Sequence, residues 1–434
     1  MVKYYTVKDG KVKGTDNKKD IVNWLGQSAW QRGLTVKAAG GDDIINFAGS
    51  YFNNNKLYGE DGKDKILGGS KKDYIYGGAG NDTLLGNAGD DQIKGGGGYD
   101  LIDGGKGNDK IWGSSGINGI SGGNGADTIY GGVGYDAIDG GHDNDVIYLQ
   151  ECSKEYESKT VKIGKTSITL TKDKRSYVRG GDGNDKILDI MGGAIVYGDG
   201  GKDTITAQSG NNTLYGGAGD DSITGGSGND VIYGGAGKDK INAKGGKNKV
   251  YGGDGDDNIK CGGGNDIIYG GKGKDIINAG GGENTIYFKK GESVDTVVNG
   301  GGFDILVFED YSSSDFYTYS DGNDLMLRGG EAKAQLSDKV YARLQNFFSG
   351  DHSAQEIKLS DGSYRLDSEG NLTPLDVLYS APKASNNVNA IVAGVAAWIG
   401  SDSGNLGLTD TFGSTDNIDP IATVIANNPI NYGN

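Results

Sequence analysis

The chain has 434 residues, a net charge of −16 and a sequence pI near 4.6; 35% of its residues are hydrophobic and its mean hydropathy is −0.52. That acidic balance argues against a nucleic-acid partner, which needs a basic footprint. So apolar-poor a chain cannot readily offset the entropy of ordering 83 glycines, and no run reaches transmembrane length, the best candidate being Ala390 to Ile399. In chain order, residues 1–37 come first and contain Trp24 and Trp30. They precede the degenerate repeat Gly41-Asp42-Asp43-Ile44-Ile45 and are expected to cap the open end of a repeat stack. Met1 to Asp9 contains no apolar h-region, so no cleavable signal peptide is expected.

Residues 38–148 form a first repeat block. From 59 to 148 a nine-residue unit recurs ten times, G-G-x-G-x-D-x-U-x with U aliphatic; Gly77-Gly78-Ala79-Gly80-Asn81-Asp82-Thr83-Leu84-Leu85 is one clean copy. Such a fixed period predicts a solenoid. Positions 7 to 9 fit only a brief strand, with position 8 pointing one way and its neighbours the other. Ile66, Ile75, Leu84 and Ile93 are therefore expected to face inward. Positions 1 to 6 must turn tightly, for which glycine allows positive φ. Crowded turns expose backbone carbonyls, and one carboxylate per turn completes an all-oxygen environment suited to a hard cation such as Ca²⁺.

Residues 149–179 interrupt the repeat. Val161, Ile163, Ile168 and Leu170 alternate around Gly164-Lys165, the pattern of a β-hairpin. The insertion is expected to divide the array into blocks of about five and six coils, roughly 24 and 29 Å long at about 4.8 Å per coil. The second block, residues 180–307, contains twelve further copies up to residue 287. Position 8 is Ile, Leu or Val in all twenty-two copies, and position 6 is Asp in nine of the first ten and eight of the last twelve.

A longer period of 18 lies inside the nine. Position 9 in the second block alternates between Tyr197, Tyr215, Tyr233, Tyr251, Tyr269, Tyr287 and a non-aromatic set; the first block does the same with Tyr58, Tyr76, Trp112, Tyr130 and Tyr148, broken by Lys94. Two repeats per coil follow, with an aromatic ladder expected along one outer face. Two readings of that ladder stand open: strand propensity with ring-on-ring packing, or a ligand platform for sugar or a partner surface. Position 6 splits in the same phase. One edge reads Asp73, Asp91, Asp109, Asp127, Asp145 and then Asp185, Asp203, Asp221, Asp239, Asp257, Asp275. The other reads Asp64, Asp82, Asp100, Asn118, Asp136 and then Ala194, Asn212, Asp230, Asn248, Asp266, Asn284. Adjacent Asp–Asp pairs within the blocks predict about eleven strong Ca²⁺ sites, enough to turn −16 into +6.

The nonapeptide resembles the calcium-binding repeat of RTX (repeats-in-toxin, hemolysin-type) proteins, over roughly residues 38–307. The resemblance implies an all-β fold, a right-handed parallel β-roll with two nonapeptides per coil and each ion between the loops of neighbouring coils. It implies as metal ligands the position-6 aspartates Asp64 to Asp145 and Asp185 to Asp275 named above, with loop carbonyls such as those of Gly77, Gly80, Gly95, Gly104, Gly107, Gly216, Gly219, Gly225 and Gly234. Coupling of metal binding to folding is expected, since the site is absent from an unfolded chain.

Residues 308–380 change composition and look like the cap that follows RTX repeats, for instance at Asn323-Asp324-Leu325-Met326-Leu327. Residues 381–434 form a tail rich in Ala, Ser, Asn and Ile, which by the same resemblance carries a type I secretion signal. Cys152 lies in the insertion and Cys261 at a position 1, so two unpaired thiols are expected rather than a disulfide framework. An enzyme is not expected: the two histidines, His142 and His352, form no H-E-x-x-H, and no phosphate-binding G-x-x-x-x-G-K-[ST] occurs. The sequence thus reads as an extracellular, secreted calcium-binding protein with a structural or adhesive role, whose partners are calcium, a type I secretion apparatus and a cell-surface glycan or protein. A toxin- or bacteriocin-like factor and a glycan-modifying enzyme on a β-helix scaffold are the rivals.

Overall fold

The computed structural model describes residues 3–374 apart from 6–10, 15–17, 24–32, 52–53, 150–158, 164–165, 171–174, 290–292, 299–300, 309, 330–339, 346, 348–355 and 367–368. Trp24, Trp30, Cys152, the Gly164-Lys165 turn and the 381–434 tail lie outside the described residues. Short strands alternate between two long parallel sheets, as the nine-residue period requires. Sheet I holds strands such as Lys65–Leu67, Thr83–Ala88 and Leu101–Lys106; sheet II holds Asn55–Asp61, Asp73–Ala79 and Gln92–Gly97. Each strand pairs with the residue 18 further on, Ile75 with Ile93 and Ile66 with Leu84. One coil is therefore two repeats.

Each repeat contributes one position-8 side chain to the core, and each coil therefore two, one from either sheet. Ile66, Ile75, Leu84, Ile93 and their equivalents through Ile286 are fully buried, while positions 7 and 9 point outward. Each such burial contributes about 1.5–3 kcal/mol, a thin return for nine ordered residues. The turns demand glycine where coils approach most closely. Gly80 holds φ +132, and a Cβ there would run into the Gly62 carbonyl one coil below.

The two repeat blocks are consecutive in one stack. Across the insertion the register lengthens from 18 to 40, with Ile138 beside Val178 and Ile147 beside Ile187. The roll resumes at strand Ser176–Asp182, inside the segment read from sequence as insertion. The inserted strands Lys159–Ile163 and Thr166–Leu170 pair antiparallel. The first of them lies against Leu101–Lys106, Gly119–Asn124 and Ala137–His142 on sheet I.

This register changes the expectation of one aromatic face. Tyr58, Tyr76, Trp112, Tyr130 and Tyr148 stand on sheet II, whereas Tyr197 to Tyr287 stand on sheet I. Tyr148 pairs with Leu188 and Arg179 with Tyr197, so the ladder changes face at the insertion. The looped-out residues are not a multiple of 18, and the aromatic phase does not survive them.

Both ends differ from the repeats. The N-terminal strands Lys3–Tyr5, Lys11–Lys13, Asp20–Asn23 and Thr35–Lys37 continue the parallel ladders with irregular spacings. At the other end the strands turn antiparallel. Phe316–Asp321, Asp324–Gly329 and Val340–Gln345 form a meander joined to sheet II, and Glu356–Leu359, Gly362–Leu366 and Leu372–Pro374 one joined to sheet I. Among the described residues no helix is long and apolar enough to cross a membrane.

Candidate metal centre

Each position-6 side chain lies at the turn where the chain enters a strand, and every one is buried. Along the edge leading into sheet II the backbone N–H of one aspartate donates to Oδ1 of the aspartate one coil on. This chain of bonds runs Asp73, Asp91, Asp109, Asp127, Asp145, Asp185, Asp203, Asp221, Asp239, Asp257, Asp275, Asp295 at 2.6–3.0 Å. It crosses the insertion without a gap, the Asp145 N–H to Asp185 Oδ1 bond being 2.7 Å. The other edge runs Asp20, Asp43, Asp64, Asp82, Asp100 at 2.6–3.0 Å before Asn118 breaks the run of acids. Among the described residues these are fifteen consecutive carboxylate pairs, eleven on the first edge and four on the second. Four of them, Asp20–Asp43, Asp43–Asp64, Asp145–Asp185 and Asp275–Asp295, are additional to the eleven within the two runs of strict nonapeptides.

The second carboxylate oxygen decides what this edge can do. Oδ2 of Asp91, Asp109, Asp127, Asp145, Asp185, Asp203, Asp221, Asp239 and Asp257 is buried without a hydrogen-bond partner, as is that of Asp64, Asp82, Asp100, Asp230 and Asp266. A position-1 glycine leaves open the space beside it. A Cβ on Gly95 would meet Asp100 Oδ2 and, at 2.8 Å, the Gly113 carbonyl of the next coil. The same pair of oxygens, one carboxylate and one carbonyl, brackets Gly77, Gly104, Gly216, Gly225 and Gly234. The carbonyls of Gly80, Gly107 and Gly219 point instead at the position-4 glycines Gly98, Gly125 and Gly237.

Stacked acids in a dry turn are electrostatically unfavourable. Burial, opposed by the N–H bonds and reinforced by neighbouring carboxylates, pushes Asp91 up to about 9 and Asp109 and Asp145 to about 8. Burial likewise takes Asp64, Asp100, Asp127, Asp136, Asp203 and Asp257 to about 7, and Asp82, Asp185, Asp221 and Asp230 to about 6. Asp73, Asp239 and Asp266 are raised by the same cause. An acceptor-only oxygen needs either a proton or a cation. The pairs of carboxylates with adjacent carbonyls fit Ca²⁺, a hard ion that takes six to eight oxygens. Among the described residues no group of three or more His, Cys, Asp or Glu converges on one point. The carbonyls must therefore complete any shell.

Several participants escape a reading by repeat alone. Asp20, Asp43, Asp295 and Asp304 occupy the same buried position. Their signal is the string Asp-x-aliphatic, as in Asp295-Thr296-Val297 and Asp304-Ile305-Leu306. Position 5 carries a second, exposed ladder: Asn81, Asp90, Asn108, Asn184, Asp220 and Asp256 each accept the position-5 N–H of the next coil at 2.6–3.0 Å. Cys261, at a position 1, is a buried free thiol whose ionisation burial strongly disfavours.

The aromatic ladders are stacked. From Tyr197 to Tyr287 successive ring centroids lie 4.5–4.8 Å apart, with planes within 10°. Each inner ring has both faces covered by its neighbours, so what the surface offers is ring edges, not stacking faces. This favours ring-on-ring packing over a stacking platform. His142 is exposed and meets Asp182 Oδ2 at 2.8 Å. One G-x-S-x-G string exists, Gly119-Ile120-Ser121-Gly122-Gly123, but it lies within strand Gly119–Asn124 and not at the strand-to-helix turn a nucleophile elbow needs.

The RTX calcium-binding nonapeptide repeat matches residues 58–93, 85–120, 121–150, 197–232, 219–250, 233–264 and 251–286. The repeats of this chain are RTX calcium-binding repeats. The matched segments fall on both sides of the insertion and within the single parallel β-roll. Among curated proteins none shows significant similarity to it. A solved structure of a hyperactive, Ca²⁺-dependent, β-helical antifreeze protein from an Antarctic bacterium is similar at 19% identity. The match covers 70% of this chain and 82% of that one, with a TM-score of 0.21.

Proposed function

We propose that this chain is a calcium-binding RTX protein that is secreted unfolded and forms its roll on meeting extracellular calcium, to act as a structural or adhesive surface module. The observation that carries the reading is the row of buried, unpartnered Oδ2 atoms beside position-1 carbonyls. Calcium, when bound, supplies the positive charge that such paired carboxylates lack. The chain's own part is preorganisation. Position-6 N–H groups hold Oδ1, glycine keeps the space beside Oδ2 clear, and the aliphatic at position 8 locks the turn to the core. Without a counter-charge the same residues repel, and a core fed by one aliphatic per nine residues does not compensate. Extracellular modules of this kind bind at about 10⁻⁴–10⁻³ M, far above resting cytosolic calcium, which suits a chain that must thread a type I channel before folding. The reading assigns the chain no catalytic step.

Equilibrium dialysis of the full chain against calcium tests the binding part. More than ten bound ions per chain are expected, and a stoichiometry of two or three would contradict the edge-wide arrangement. Export tests the rest. Removal of residues 381–434 is expected to abolish secretion from cells carrying a type I apparatus, and undiminished export would remove the tail from the account.

A further inference from the structure

The two outer faces differ in charge. From Thr35 to Val298 repeat positions 7 and 9 of sheet II contain no Asp or Glu, the exposed acids of its strands being Glu60, Asp61 and Asp189 near strand ends, although the chain holds 59 acidic residues against 43 basic ones. Sheet I carries Asp103 and Asp139 at the same positions. In its N-terminal half sheet II presents exposed Lys37, Lys56, Lys94, Lys110 and Lys186. Among the described residues only Lys37 of these five is in an ion pair, with Glu60 at 3.2 Å. Two others sit over rings, Lys56 Nζ at 5.8 Å from Tyr74 and Lys110 Nζ at 5.2 Å from Trp112. An ammonium so placed is steadied by the ring quadrupole and still has N–H groups to donate. The inserted strand Lys159–Ile163 lies against the opposite sheet.

We propose that the N-terminal half of sheet II is a docking track for a linear carboxylated polysaccharide. The inference rests on the reading above that the protein acts at an extracellular surface. In-register parallel strands set side chains in straight ranks one strand spacing apart, about 4.8 Å. A linear sugar chain advances by a similar length per residue, so its carboxylates recur in step with the rungs. Lys94 and Lys110 stand on adjacent strands, and Lys56 two strands before Lys94. Between them Tyr76, Trp112 and Tyr130 offer half-buried rings with polar tips suited to sugar hydroxyls. Charge complementarity selects an anion, and the spacing selects a sparse one. Nucleic acid, with a charge every 1.7 Å or so along its axis, calls for a denser footprint than one lysine per rung or two, on a chain of net charge −16.

The test uses the full chain in excess calcium, with its fold checked by circular dichroism. Immobilised hyaluronan is the carboxylated probe, dextran the uncharged one, and phosphatidylglycerol vesicles and single-stranded DNA the rival polyanions. Hyaluronan is expected to bind, dextran not, and the affinity to fall as salt rises. Lys94→Glu with Lys110→Glu is expected to raise Kd at least tenfold with an unchanged fold, while Lys249→Glu on sheet I leaves it unaltered. A folded chain that ignores hyaluronan, that loses it equally on Lys249→Glu, or that binds vesicles or DNA more tightly would overturn the track. The two layers separate cleanly. A chain folded without calcium that still binds hyaluronan sinks the calcium-coupled reading alone, and a calcium-folded chain that binds none sinks the track alone.

Discussion

The two edges of the roll share one backbone and differ, rung for rung, in whether position 6 ends in a second oxygen or in an amide. On the edge leading into sheet II the aspartates from Asp73 to Asp295 are uninterrupted. On the other edge, beyond the insertion, Asn212, Asp230, Asn248, Asp266, Asn284 and Asp304 alternate. The amides serve as internal donors: Asn118 Nδ2 reaches Asp136 Oδ1 at 3.1 Å, Asn212 reaches Asp230 at 3.0 Å and Asn284 reaches Asp304 at 2.9 Å. An aspartate such as Asp230 thus accepts an amide N–H at Oδ1 besides the backbone N–H, while an aspartate between two aspartates, such as Asp221, accepts the backbone N–H alone; Oδ2 is unpartnered in both. The same turn can be built to need a cation or to manage with less of one, and this chain does both side by side.

The largest expected effect sharpens that difference with protons. A carboxyl whose folded pKa lies above its unfolded value favours the fold below the unfolded pKa, and that advantage is lost as pH rises through the folded pKa. With Asp91, Asp109 and Asp145 at about 8 or 9 and their neighbours at about 6 to 7, the calcium-free roll should be most stable near pH 4 and be lost between about pH 6 and 9. Circular dichroism in chelator is expected to show strand content at pH 4.5 and little at pH 8.5. The opposite order would break the electrostatic argument.

Next in size, Asp221→Asn removes a carboxylate shared by two consecutive pairs, with Asp203 and with Asp239. Calcium stoichiometry should fall by as much as two ions, and the calcium-free roll should become easier to fold. Asp230→Asn, flanked by Asn212 and Asn248, should change both far less. Equal losses in dialysis would erase the distinction between the edges. Gly216→Ala places a Cβ closer to Asp221 Oδ2 and to the backbone carbonyl of Gly234 than a Cβ can stand, so the turn must shift. A cost of about 3 kcal/mol is expected in calcium-loaded denaturation, against about 0.5 kcal/mol or less for Gly200→Ala, where nothing lies within 4 Å. Tyr233→Ala removes stacks at 4.7 Å on both sides. It should cost about 1–2 kcal/mol and leave the calcium count unchanged, since the ring sits on the outer face and not in the turn.

Much of this was legible because a strict period repeats its physics. The nine-residue unit placed every inward aliphatic, and the 18-residue phase gave two repeats per coil and two unequal edges. What the period could not show was where the phase resumes after a break. The register of 40 across the insertion depends on how many residues loop out, and that number moved Tyr197 to the sheet opposite Tyr148. A clue was present: the complete Asp edge precedes the aromatic in the first block, Asp73 to Tyr76, and the non-aromatic in the second, Asp185 to Leu188. Asp295 and Asp304 were hidden by a spacing of 20, and Asp20 by one of 23 from Asp43 in the degenerate repeat. The position-5 ladder went unseen because an Asn or Asp in a turn is ordinary until a second coil shows what it accepts.

The central claim is that buried, paired carboxylates make folding depend on calcium. Far-UV circular dichroism of the full chain at pH 8, titrated with calcium and separately with magnesium, tests it most directly. A steep transition from coil to strand with calcium, and little with magnesium at the same concentration, is the expected result. A chain already rich in strand in chelator, and indifferent to added calcium, would contradict it.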